Sequence, residues 1–190
     1  MQQVKSLWQT ISVVVIILGA LMITGGLLMN NNLLFAGALV VMGLGVGLQG
    51  LHAVVYAEAS IKVSRYHSRT RTGWGARLYG VQEGYIGAVL VLGGLWQAVA
   101  PGQMLKAAAT PFGWSLISVL VAILIMLGSV VLLSGVSDWS ESAWHTIPNR
   151  IFGVIGLLIA AVVGAFGITT VLFPTIWKIL SGMLPQVLGR

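Results

Sequence analysis

The chain has 190 residues, 57% of them hydrophobic and 7% charged, with a formal net charge of +6 and a mean hydropathy of +0.97. A soluble domain carries about a quarter charged residues, so this composition excludes an ordinary water-soluble enzyme and a disordered chain. It points to one domain whose solvent is mostly lipid. With no cysteine in the sequence, disulfides, thiolate metal sites and cysteine nucleophiles are excluded.

Spanning a bilayer takes about 20 mostly apolar residues, and five stretches qualify: 9–29, 33–57, 78–99, 113–136 and 151–173. The first contains the uncharged run Val13-Val14-Val15-Ile16-Ile17-Leu18. Lys5 precedes it as in a signal peptide, but the run is too long, and Asn30-Asn31-Asn32 follows where a small-residue cleavage site would stand. It reads as an uncleaved anchor. The three asparagines make a turn tolerant of left-handed backbone, so spans one and two are expected to form an antiparallel hairpin.

The second span is interrupted only by Gln49 and His52, and the third contains a single acid, Glu83. Between them lies the strongly basic connection 58–77. Pro101 and Pro111 bracket the connection 100–112 and are expected to end the flanking helices. Spans four and five carry no ionisable residue. The connection 137–149, with Trp139 and Trp144, is read as holding a short interfacial helix. The tail 174–190, with Ile176, Trp177, Ile179, Leu180, Met183, Leu184 and Val187, has the spacing of an amphipathic interfacial helix that Pro185 keeps short.

None of the spans shows the period-two alternation of a lipid-facing strand. The expected fold is therefore all-α, a polytopic transmembrane helix bundle of five spans. The tryptophans agree. Trp8, Trp74, Trp96, Trp114, Trp139, Trp144 and Trp177 all fall at or just beyond span ends, where an indole keeps its ring buried and its N–H wet.

Orientation follows from lysine and arginine, which are retained on the cytoplasmic side. With the N-terminus cytoplasmic, Lys5, Lys62, Arg65, Arg69, Arg71, Arg77 and Arg150 lie inside, and Lys106, Lys178 and Arg190 outside. The C-terminus is then on the far side, and the protein is expected in a prokaryotic inner (plasma) membrane. A candidate internal repeat is visible as well. Arg77-Leu78-Tyr79-Gly80-Val81 and Arg150-Ile151-Phe152-Gly153-Val154 share one pattern at the inner boundary of spans three and five, although glycine-rich apolar helices resemble one another in any case.

Glycine supplies 25 residues. Gly43/Gly47 and Gly80/Gly84 have the small-xxx-small spacing that lets helices approach closely in lipid, either within the protein or against a neighbouring subunit. Gln49, His52 and Tyr56 share one face of span two by their i, i+3 and i+4 spacing. His52 lies roughly 9 Å from Glu58 along its helix, and Glu83 roughly 9 Å from Arg77, so the two reach the same depth. Intramembrane ionisable groups pair or line a cavity, and a polar cluster of Gln49, His52, Tyr56 and Glu83 is expected toward the inner leaflet. The plainest role is fixing helix register. A proton or ion relay and axial ligation of a haem or chlorophyll by His52 are the sharper ones.

The basic residues Lys62, Arg65, Arg69, Arg71 and Arg77 serve first as the topology signal, and are placed to meet anionic lipid headgroups or an acidic partner. Nucleic acid is not indicated. No phosphate loop, zinc-protease or nucleophile-elbow motif occurs, and the acids are too few for a metal site. The leading expectation is a non-catalytic membrane subunit packed with other subunits in a respiratory, photosynthetic or transport assembly. The competing one is a small channel or carrier moving protons, ions or a small solute along a His52/Glu83 path.

Overall fold

A computed structural model describes residues 2–64, 67–134, 143–173, 175 and 178–179; the side chains of 2–6, 60–64, 67–71, 104–105 and 143–147 are not described. Six helices and two strands follow in order: α1 (Gln2–Leu28), α2 (Asn32–Tyr56), β1 (Glu58–Ser64), β2 (His67–Thr72), α3 (Gly73–Val99), α4 (Gln103–Ala108), α5 (Pro111–Leu133) and α6 (Ala143–Leu172). Five segments are long and apolar enough to cross a membrane: Leu7–Leu28, Asn32–Tyr56, Gly73–Val99, Pro111–Leu133 and Pro148–Leu172. The chain is an integral membrane protein built on helices. Large apolar side chains such as Leu21, Leu92, Leu158 and Val162 lie exposed along these segments, as lipid-facing residues do.

Local chemistry sets the helix ends. Asn30 takes the left-handed conformation at φ 48°, and the Asn31 side chain accepts from Leu34 N at 3.0 Å to cap α2. This is the expected asparagine turn. The connection 100–112 differs from expectation in one respect: Pro111 opens α5 at its first turn rather than closing a helix, because proline's missing N–H costs nothing there. Thr110 caps the same helix, accepting from Gly113 N at 3.1 Å, and α4 occupies the connection. Of the tryptophans, Trp74, Trp114 and Trp144 stand in the first turns of α3, α5 and α6, and Trp96 in the last turn of α3. Trp139 and Trp177 lie outside the described residues, as do Arg65 and nearly all of the amphipathic tail. An interfacial helix before α6 falls partly on undescribed residues too.

The basic connection is not the plain loop expected. Ala57 ends α2 in the left-handed region, φ 52°, and β1 and β2 then form an antiparallel hairpin in the register Glu58↔Thr72, Ser60↔Thr70 and Lys62↔Ser68. Its Ile, Val and Thr residues favour strand, a preference that the run of charges conceals in the sequence. The base of the hairpin is seated by packing: Ala59 of β1 is buried against Ala53 of α2 and Ala76 of α3, with Tyr79 beside them.

The spanning helices form an open row, α1–α2–α3–α5–α6, in which each packs mainly on its neighbour. A seven-residue period of small residues makes the α2/α3 seam. Ala36, Gly43 and Gly50 of α2 oppose Gly94, Gly87 and Gly80 of α3. A Cβ on Gly43 would lie 2.7 Å from the Gly87 carbonyl oxygen, and one on Gly80 would lie 2.5 Å from that of Gly50. Gly47 and Gly84, expected in the same packing line, contribute backbone to the seam, but a Cβ on either meets nothing within 4 Å. Gly43 and Gly47 flank Gly87, and Gly80 and Gly84 flank Gly50, while the positions where a Cβ would clash recur every seven residues, the period of helices wound left-handedly about each other. The α1/α2 seam repeats the device with Gly19 and Gly26 against Met42 and Phe35. In α5/α6, Gly153, Gly156 and Gly167 meet Leu133, Ser129 and Ser118. Between the two groups of helices, the Tyr85 hydroxyl of α3 donates to Leu120 O of α5 at 2.8 Å.

Candidate functional site

A cavity of about 410 Å³ opens between α1, α2 and α3 at the hairpin end of the row. From α1 come Gln9 and Ser12, one helical turn apart and so on one face. Gln49 and His52 come from α2 with the same spacing. Tyr79 and Glu83, at i and i+4, come from α3, and Glu58 stands where β1 leaves the end of α2. The antiparallel register brings them level: the α1/α2 contacts that set Gly45 beside Ile16 and Met42 beside Gly19 also carry Ser12 to Gln49 and Gln9 to His52.

Three of the four residues expected to cluster, Gln49, His52 and Glu83, line this one cavity. Tyr56 is not part of its lining. It packs on His52, the ring centroids 4.7 Å apart and the planes tilted by 46°. Gln9, Ser12, Tyr79 and Glu58 were not anticipated. Their signal was present for Tyr79, one turn from Glu83 on the same face, and weak for Gln9 and Ser12, which look like ordinary polar residues near a helix end.

Burial sets the electrostatics. His52 is 5% exposed, Glu83 9% and Ser12 2%. The Tyr79 hydroxyl hydrogen-bonds to the Glu83 carboxyl, while Glu83 Oε2 is buried and accepts no hydrogen bond among the described residues. The Ser12 hydroxyl donates to Gln9 O at 2.9 Å, which leaves its oxygen able to accept. A buried carboxylate oxygen without a donor is costly in a medium of low dielectric, and the residue that carries this one lines the cavity.

The polar character stops abruptly. Residues 13–23 of α1, 33–48 of α2 and 86–95 of α3 include no polar side chain, a stretch of about 15 Å along the helices. Within it α2 and α3 touch backbone to backbone, Gly87 approaching Gly47 N so closely that a Cβ would lie 2.6 Å from it. An apolar groove of about 440 Å³ runs along the α2/α3 seam, lined by Leu44, Gly47 and Leu51 of α2 and Leu92 of α3 among others. The polar lining is therefore confined to the hairpin end of the row.

Of the basic residues, Lys62 pairs in register with Ser68, and Arg69 and Arg71 with Ile61 and Ala59. Arg77 is exposed, on α3. The hairpin that carries the charges is thus rooted beside the cavity through Glu58 and Ala59. No three His, Asp or Glu residues are grouped closely enough to hold a metal ion among the described residues. Comparison with protein-family models, curated proteins and solved structures gives no match.

Proposed function

We propose that this chain is a non-catalytic integral membrane subunit that packs within a larger membrane assembly and contributes a one-sided polar vestibule to it. The observation that carries the reading is the confinement of the cavity's polar lining to one end of the row. A solute leaving Gln49 and Glu83 toward the other end of the row would meet about 15 Å without a hydrogen-bonding side chain, beside a seam where Gly43 and Gly87 bring the two backbones into contact. That favours holding a ligand or partner group over passing it across the chain alone. The open row supports the assembly part, since among the described residues α1 packs mainly on α2 and α6 mainly on α5. In this reading the N-terminus and the basic hairpin are cytoplasmic, with Lys62, Arg69, Arg71 and Arg77 near anionic headgroups, each worth about 1 kcal/mol of surface attraction.

Gentle detergent extraction tests it: the chain is expected in fixed stoichiometry with the same membrane partner in independent preparations. A lone, monodisperse chain that drives flux in liposomes would overturn the reading. Orientation is checked by single cysteines in this cysteine-free sequence. Thr72→Cys is expected to react only from the cytoplasmic side and Gln103→Cys only from the opposite one.

The second reading, a small channel or carrier for protons, ions or a small solute, is favoured by the Glu83 carboxyl at the cavity wall. It requires a neighbouring chain to complete the path, and predicts flux from the intact assembly that Glu83→Gln abolishes. For a haem or chlorophyll at His52, the measurement is visible absorbance of the purified protein and its loss in His52→Ala.

A further inference from the structure

We propose that the cavity between α1, α2 and α3 binds a small organic cation through its ammonium group, with Glu83 as the counter-ion. The inference rests on the cavity being a vestibule for a ligand rather than a void of packing, and goes on to name the ligand's chemistry.

Sign comes first. Among the described residues the lining holds the carboxyl groups of Glu83 and Glu58 and no lysine or arginine, so Glu83 gives a cation its counter-charge. Size comes next. About 410 Å³ is many times the ~30 Å³ share of a single water and falls within the range of small-molecule sites. A bare metal ion would need several hard ligands converging on one point, and no such group occurs among the described residues. An organic cation fills the space and needs only one close counter-charge.

Hydrogen bonding then selects the ammonium. Glu83 is more than nine-tenths buried, and its Oε2 accepts no bond from the described protein, so a charge-assisted N–H donor is what it lacks. Gln49 and Ser12 line the same space, and each carries a side-chain oxygen that can accept. Tyr79, by donating to Glu83, orients the carboxyl group. Two sources share this chemistry: a free amine, and the amine headgroup of a phospholipid, for which the basic hairpin beside the cavity would meet the phosphate.

The test uses the full chain in maltoside micelles and calorimetric titration with benzylammonium, against the neutral isostere benzyl alcohol. Benzylammonium is expected to bind at least about tenfold more tightly than the alcohol, the discrimination of one charge-assisted hydrogen bond. Glu83→Gln is expected to remove that preference, whereas Ser129→Ala, in the distant α5/α6 seam, is expected to retain it. A short-chain phosphatidylethanolamine that displaces benzylammonium, where phosphatidylglycerol of equal chain length does not, assigns the lipid as source. Displacement by neither assigns the free amine. Equal affinity for amine and alcohol in the wild-type chain would overturn the inference even if Glu83→Gln failed to fold. So would the absence of amine binding while stoichiometric partners still co-purify, a result that leaves the subunit reading standing.

Discussion

The α1–α3 group and the α5/α6 hairpin use the same packing device and differ in what they do with polar atoms. In α5/α6 the Ser129 hydroxyl donates to Ile125 O at 2.7 Å, and Thr170 donates to Gly167 O at 2.7 Å. Each is a small side chain satisfied by its own helix, so it fits a tight seam without needing anything across it. In α1–α3 the self-satisfied Ser12 shares its space with the longer side chains Gln49, His52 and Glu83. Long polar groups converging from several helices mark a site.

The seams supply the largest expected effect. Gly87→Ala would set a Cβ 2.6 Å from both Gly43 O and Gly47 N. Backbone on both sides cannot yield, so a loss of about 1–3 kcal/mol is expected in unfolding from mixed micelles. Gly47→Ala, whose Cβ meets nothing within 4 Å, is expected to change stability by less than about 0.5 kcal/mol. If the two cost the same, the seven-residue seam is wrong.

The second region should behave differently under the same change. Gly167→Ala brings its Cβ to 2.6 Å from Ser118 Cβ, a side chain rather than backbone. The loss is expected to be recovered in large part by Ser118→Gly, with a coupling of at least about 0.5 kcal/mol in a double-mutant cycle. No such partner substitution exists for Gly87. Smaller still is Tyr85→Phe, which removes the hydrogen bond to Leu120 O linking the two regions. Interhelical bonds in bilayers average about 0.6 kcal/mol, and a shift of that order in thermal unfolding is expected. Smallest is Ser129→Ala, within about 0.5 kcal/mol, because its hydroxyl bonds only its own helix. A larger cost there would show that the hydroxyls of α5/α6 do more than pack.

The five spans, the asparagine turn and the placing of Trp74, Trp96 and Trp114 at helix ends were written in the sequence, because lipid rewards apolar length residue by residue and needs no knowledge of neighbours. His52 and Glu83 could be matched in depth from helical rise alone. What the sequence could not decide was which residues meet. Close contacts at Gly43, Gly50, Gly80 and Gly87 set the α2/α3 register and those at Gly19, Gly26 and Gly45 the α1/α2 register; together they bring Gln9 and Ser12 to the cavity and leave Tyr56 outside its lining. The strand character of the basic connection was likewise hidden, since Ala59 prefers the pocket beneath α2 and α3 only once those helices are paired. Burial in lipid is a sum over single residues and can be read along a chain. A cavity is a property of three helices at once, and only their packing determines where it opens and where it stops.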